Sequence, residues 1–133
     1  MCMDKRTRIL LVDDEDDIRL IAEISLRDVG GFETLTAESG AEGIAAAIAE
    51  QPNLILLDMM MPHMDGLRTL QLLRADERTS TIPVIFMTAK AQRTELESYV
   101  AAGAVGVVTK PFDPMQLASE VRRIVEDAAS AGR

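Results

Sequence analysis

A chain of 133 residues carrying a formal charge of −8 is long enough for one domain and too acidic to neutralise the phosphates of a nucleic acid. Apolar residues make up 47%, yet no uninterrupted apolar run nears the roughly 20 residues that span a bilayer. The first eight residues hold no apolar signal core, and the single cysteine, Cys2, excludes an internal disulfide. These features point to a soluble cytoplasmic protein that binds neither nucleic acid nor membrane directly. One domain is expected over 1–133, with a core from about 8 to 127 and loose termini at 1–7 and 128–133.

Arg8-Ile9-Leu10-Leu11-Val12 is the first apolar run, and it stops abruptly at Asp13-Asp14. From about Asp16 the period turns helical, with Ile18, Ile21, Ala22 and Ser25 on one face, continued by Leu26 and Val29. Gly30-Gly31 ends that helix, as a left-handed C-terminal cap does. Glu33 to Ala37 alternates polar and apolar positions, which suits an edge strand. Ser39 and Glu42 have capping-box spacing and open an alanine-rich helix to about Glu50.

Leu54-Ile55-Leu56-Leu57-Asp58 is apolar on both faces and ends in an acid, the pattern of a central strand covered by helices on both sides. Asp65-Gly66 starts a third helix carrying Leu67, Leu70 and Leu73, and a polar loop runs from Asp76 to Pro83. Val84 to Thr88 is a fourth strand. Thr94 and Glu97 have the spacing of a second capping box, for a helix ending near Gly103. Val105 to Thr109 is a fifth strand, delivering Lys110-Pro111. Asp113-Pro114 then places an N-cap before a proline at the first helical position. Leu117, Val121, Ile124 and Val125 form the buried stripe of the last helix.

Five strands alternating with five helices predict a parallel α/β sheet. The acids that end the first and third strands converge only if those strands are neighbours. That suits the flavodoxin-like order 2-1-3-4-5, the order the family resemblance below also implies, in which ligands bind at the carboxyl ends of the strands.

Four of the five strands end in a chemically capable side chain: Asp13 and Asp14, Asp58, Thr88, and Lys110. The polar edge strand contributes none. Taken singly, each has an ordinary reading. Asp13 or Asp14 caps a helix, Asp58 is a turn acid, Thr88 ends a strand, and Lys110 is a solvated charge. His63 sits in a polar turn, and Met59, Met60 and Met61 are packing residues before they are soft ligands. The set is more telling than its members. Three carboxylates in one cleft repel one another unless a cation joins them, and oxygen ligands favour magnesium over zinc.

In this arrangement the sequence resembles the receiver domain of bacterial two-component response regulators. The matching residues are Leu10 to Asp14, Leu56 to Pro62, Met64-Asp65-Gly66, Thr88-Ala89 and Lys110-Pro111-Phe112. The resemblance spans about Arg8 to Asp127. It implies that Asp58 accepts a phosphoryl group from the phosphohistidine of a sensor histidine kinase or a histidine phosphotransfer protein. It further implies that Asp14, Asp58 and the Met60 carbonyl bind Mg2+ directly, with Asp13 acting through water. Thr88 would hydrogen-bond a phosphoryl oxygen and Lys110 would pair with the phosphoryl group, the lysine being aimed by a cis peptide to Pro111. The loaded state would be read at the fourth helix and fifth strand by a downstream effector or a fused output domain. Met60 and Lys90 stand where the family tunes the lifetime of the phosphoryl group. Val107 stands where chemotaxis-type members carry a switching aromatic ring.

Three other readings are weighed against this one. A haloacid dehalogenase-type phosphatase shares the strand-end aspartate but needs a second acid where this chain has Met60. A flavin or nucleotide module needs a small polar loop after the first strand, where this chain has Asp13 to Asp17. A pseudo-receiver used only for docking has no need of the full set of acids, threonine and lysine.

Overall fold

The computed structural model describes residues 7–89 and 92–131. Cys2 and Lys90 therefore lie outside the described residues. Five strands, β1 (Arg8–Val12), β2 (Glu33–Ala37), β3 (Leu54–Asp58), β4 (Val84–Thr88) and β5 (Gly106–Thr109), form one sheet in the order β2-β1-β3-β4-β5. Every neighbouring pair is parallel. The helices are α1 (Asp16–Ile24), α2 (Gly40–Glu50), α3 (Gly66–Ala75), α4 (Arg93–Ala101) and α5 (Leu117–Ala131). No helix among the described residues is long and apolar enough to cross a membrane.

Alternation along the strands divides the interior into two cores, because successive side chains leave a strand on opposite faces. Ile9, Leu11, Leu54, Leu56, Ile85 and Met87 pack on one side with Leu26 and with Leu117, Val121, Ile124 and Val125 of α5. Leu10, Val12, Ile55, Leu57, Val84 and Phe86 pack on the other with Ala47, Leu70, Leu73 and Tyr99. Every residue of β3 and β4 is buried, as a two-sided apolar run requires.

Several boundaries depart from the sequence reading. The first helix loosens into a π-helical turn over Ser25–Val29, with the Gly30 N–H donating to the Ser25 carbonyl five residues back. The wider turn rotates Val29 off the buried stripe, and Val29 and Ile21 are exposed where burial was expected. Ser39 does cap α2, accepting from the Glu42 N–H, but the Glu42 carboxylate reaches back to the Glu38 N–H rather than to Ser39. Gln92, not Thr94, is the N-cap of α4; Thr94 lies inside the helix and its hydroxyl meets the Glu95 carboxylate. β5 begins at Gly106, one residue later than expected.

Asp113 accepts from the Met115 N–H in a turn, and regular helix begins only at Leu117. That helix runs through 128–131, which the sequence reading places in a loose tail. At the other end Thr7 is also held, its carbonyl accepting from the Glu33 N–H at 3.1 Å.

Candidate functional site

The site is built where β1, β3, β4 and β5 run out. Asp13 follows β1 directly; its N–H donates to the Ala37 carbonyl at 3.1 Å, so the edge strand holds its backbone. Its Oδ1 accepts from the Glu15 N–H at 2.8 Å, a turn that carries Asp14 past the sheet edge. Asp58 closes β3, and its Oδ1 accepts from the Met60 N–H at 3.3 Å. The Met59 N–H donates to the Met87 carbonyl at 3.0 Å, which keeps the start of this loop against β4. Gly66 closes the other end, its N–H donating to the Met59 carbonyl at 2.8 Å. A Cβ at Gly66 would stand 2.7 Å from the Asp58 carbonyl oxygen, so only glycine allows α3 to start this close.

Lys110 comes in from β5. Its N–H donates to the Thr88 carbonyl at 2.9 Å, and the Lys110–Pro111 peptide is cis, as the resemblance implies. The ammonium lies 3.0 Å from Asp13 Oδ2, 3.1 Å from Asp58 Oδ1 and 3.7 Å from Glu15 Oε1. Thr88 is buried at the end of β4, in register with Thr109. The structure thus brings Asp13, Asp14, Asp58, Thr88 and Lys110 to one rim of the sheet, while the Met60 side chain stands 68% exposed at the lip.

Electrostatics mark the site more clearly than its shape does. Two surface grooves, about 530 Å3 beside Arg27 and Phe32 and about 610 Å3 beside Asp76 and Arg78, are lined by none of these residues. Asp13 and Asp58 are buried almost completely. Burial first, and the charge of Asp13 second, raise the Asp58 carboxyl to about 6 against the pull of Lys110. Lys110 is itself desolvated, but its contacts to Asp13 and Asp58 outweigh this and raise its pKa. Three carboxylates against one ammonium leave the cleft negative.

Carboxylate oxygens of Asp13, Asp14 and Asp58 lie within 4.8 Å of one another. Among the described residues, Asp14 Oδ1 and Asp58 Oδ2 are buried without a hydrogen-bond partner. A buried carboxylate oxygen left unpaired is costly, and an all-oxygen set around it is suited to a hard cation such as magnesium. The residues present therefore fit that ion.

Sequence reasoning missed three participants. Glu15 is a third acid near Lys110, hidden in the run from Asp13 to Asp17 as one more acid of a first helical turn. Arg19 donates to the Asp13 carbonyl at 2.8 Å, and only its place in the first turn of α1 signals that contact. Tyr99 of α4 packs edge-on against Phe86 of β4 at 5.4 Å between ring centres, on the side where Val107 packs. An aromatic pair thus stands on the same core face as Val107.

The family model of the response regulator receiver domain matches residues 9–122. Among curated proteins, the chain is 39% identical over 118 residues to the DNA-binding dual master transcriptional regulator RpaA of Synechocystis, covering 89% of this chain and 48% of that one. It is 36% identical over 117 residues to the phosphate regulon transcriptional regulatory protein PhoB of Pseudomonas aeruginosa, covering 88% and 51%. The chain spans about half the length of these relatives. Among solved structures, the Vibrio cholerae chemotaxis protein CheY4 superposes with a TM-score of 0.83 at 29% identity, covering 90% of this chain and 98% of that one. Fold, acidic cleft and comparisons agree: the chain belongs to the receiver domains of two-component response regulators.

Proposed function

We propose that Asp58 is the phosphoryl acceptor of this receiver, loaded from the phosphohistidine of a sensor histidine kinase or a histidine phosphotransfer protein. The observation that carries this reading is the Asp58 carboxylate itself. One oxygen is held by Lys110, and the other is buried and unpaired at the carboxyl edge of a parallel sheet. A carboxylate oxygen of Asp58 attacks phosphorus, the phosphorus–nitrogen bond breaks, and its electron pair returns to the imidazole of the donor. Asp58 must be ionised to attack, and a carboxyl near 6 is largely so at neutral pH.

Phosphoryl transfer asks for positioning and charge neutralisation more than for covalent work. Asp14, Asp58 and the Met60 carbonyl would hold magnesium, with Asp13 acting through water; the ion supplies positive charge against the phosphoryl oxygens. Lys110 supplies the second positive charge. Thr88 donates its hydroxyl to a phosphoryl oxygen, and this couples the acceptor to β4 and the segment that follows it. Added phosphate charge then repacks the face of α4 and β5 that a downstream effector or a fused output domain reads.

The chain acts in the cytoplasm as a switch, catalysing only its own phosphorylation and dephosphorylation. The phosphatase reading lacks its acid, because Met60 occupies that position with an exposed thioether side chain.

Incubation with acetyl phosphate tests this reading. Intact-mass spectra should show one phosphoryl adduct in magnesium and none in chelator. No adduct in either condition would overturn it.

A further inference from the structure

Arg19 is nearly buried for an arginine, with 14% of its side chain exposed, and it is not paired as a simple surface ion. One terminal nitrogen donates to the Asp13 backbone carbonyl at 2.8 Å. The other donates to Asp16 Oδ1 at 2.6 Å and to Glu38 Oε1 at 3.3 Å. Glu38 directly follows β2, the strand that contributes no side chain to the cleft.

A peptide unit is planar, so fixing its carbonyl fixes the whole plane. The plane before Asp13 is set by its N–H on the Ala37 carbonyl, and the plane after it by Arg19 on its own carbonyl. Both backbone dihedrals of Asp13 are thereby constrained. The second plane is also the one from which the Asp14 side chain departs. We propose that Arg19 is a positioning residue for the acid pair, its fork bridging the Asp13 carbonyl to Glu38 and so aiming Asp13 and Asp14 at the metal position beside Asp58.

This inference rests on the magnesium reading above. Partners that orient metal ligands from behind are typically worth 10- to 100-fold in metal affinity. Charge and geometry here predict opposite signs. Deleting a cation beside an acidic cleft tightens magnesium binding on charge alone, whereas releasing the Asp13–Asp14 plane weakens it. Lysine keeps the charge but has no fork with which to span two acceptors.

The test is magnesium titration of wild type, Arg19→Ala and Arg19→Lys by calorimetry, with amide spectra of the metal-free proteins. Arg19→Lys keeps charge and helix propensity, so it serves if Arg19→Ala does not fold. The expected result is an affinity about ten-fold weaker in both variants, with the Asp14 and Glu15 amides shifted before metal is added. Wild-type affinity in Arg19→Lys, or tighter binding in Arg19→Ala, would overturn the positioning role. No saturable magnesium binding by wild type would instead overturn the metal site itself.

Discussion

Lys110 Nζ lies 3.1 Å from Asp58 Oδ1, and it reaches Asp58 while also holding Asp13 at 3.0 Å on the other side. One ammonium thus bridges two buried carboxylates and offsets their mutual repulsion. Removing one partner of such a group leaves uncompensated buried charge, typically at a cost of about 3 kcal/mol or more. Lys110→Met should therefore lower the stability of the metal-free protein by about 3 kcal/mol, and magnesium should restore part of it. Urea melts in chelator and in excess magnesium measure both halves.

Asp58 also sets a pH dependence. Its carboxyl stands near 6 in the folded chain against an ordinary value of 3.8, so the native state binds more protons than the unfolded state between these values. Stability in chelator should fall as pH rises through that window, by at most about 3 kcal/mol at roughly 1.4 kcal/mol per unit. Asp76, held down to about 2 by Arg78, changes stability only below this range. Asp58→Asn should be the more stable protein at pH 7 without metal and should lose the slope between pH 4 and 6. Parallel pH profiles for the two proteins would contradict the charge assignment.

Gly66 links stability to the site. The atoms its Cβ would meet include the Asp58 carbonyl oxygen at 2.7 Å and the Met59 Cα at 2.8 Å, both backbone and unable to rotate away. Gly66→Ala should cost about 1–3 kcal/mol and also weaken magnesium binding, because the strain falls on the loop carrying Asp58. Gly30→Ala is the control: its Cβ would meet the Leu26 carbonyl oxygen at 2.7 Å, ahead of β2 and at the opposite end of the strand from the acidic rim. Equal magnesium affinity in the two variants would show that the Gly66 contact matters for packing alone.

Tyr99 is the one tyrosine in a chain without tryptophan, so its emission reports on the contact with Phe86. Phe86 lies two residues before Thr88 on β4, and α4 carries Tyr99. If loading moves β4 relative to α4, beryllofluoride with magnesium should change the tyrosine emission of wild type. Thr88→Ala should abolish that change while leaving the metal site intact. An unchanged response in Thr88→Ala would remove Thr88 from the coupling.

The sheet was legible because burial on two faces writes an unbroken apolar run, and because each run stops at a residue that cannot continue it. Val12 to Asp13 and Leu57 to Asp58 are such breaks, and they place the acids on one rim before any coordinates are known. The π-turn was not legible. Periodic reading assumes 3.6 residues per turn, and the wider spacing from Ser25 onward moves Val29 off the stripe. Thr94 failed as a cap because capping depends on backbone conformation, which its spacing to Glu97 does not encode. Arg19 was harder to read for a different reason: beyond its place in the first turn of α1, its key acceptor is a backbone carbonyl, and carbonyls carry no sequence signature.

Asp58, and no other acid of the cleft, is the proposed phosphoryl acceptor. Intact-mass spectra of wild type, Asp58→Asn and Asp13→Asn after acetyl phosphate and magnesium test this assignment most directly. Wild type should carry an adduct, Asp13→Asn a slower but detectable one, and Asp58→Asn none. An undiminished adduct on Asp58→Asn would contradict the assignment and place the acceptor elsewhere.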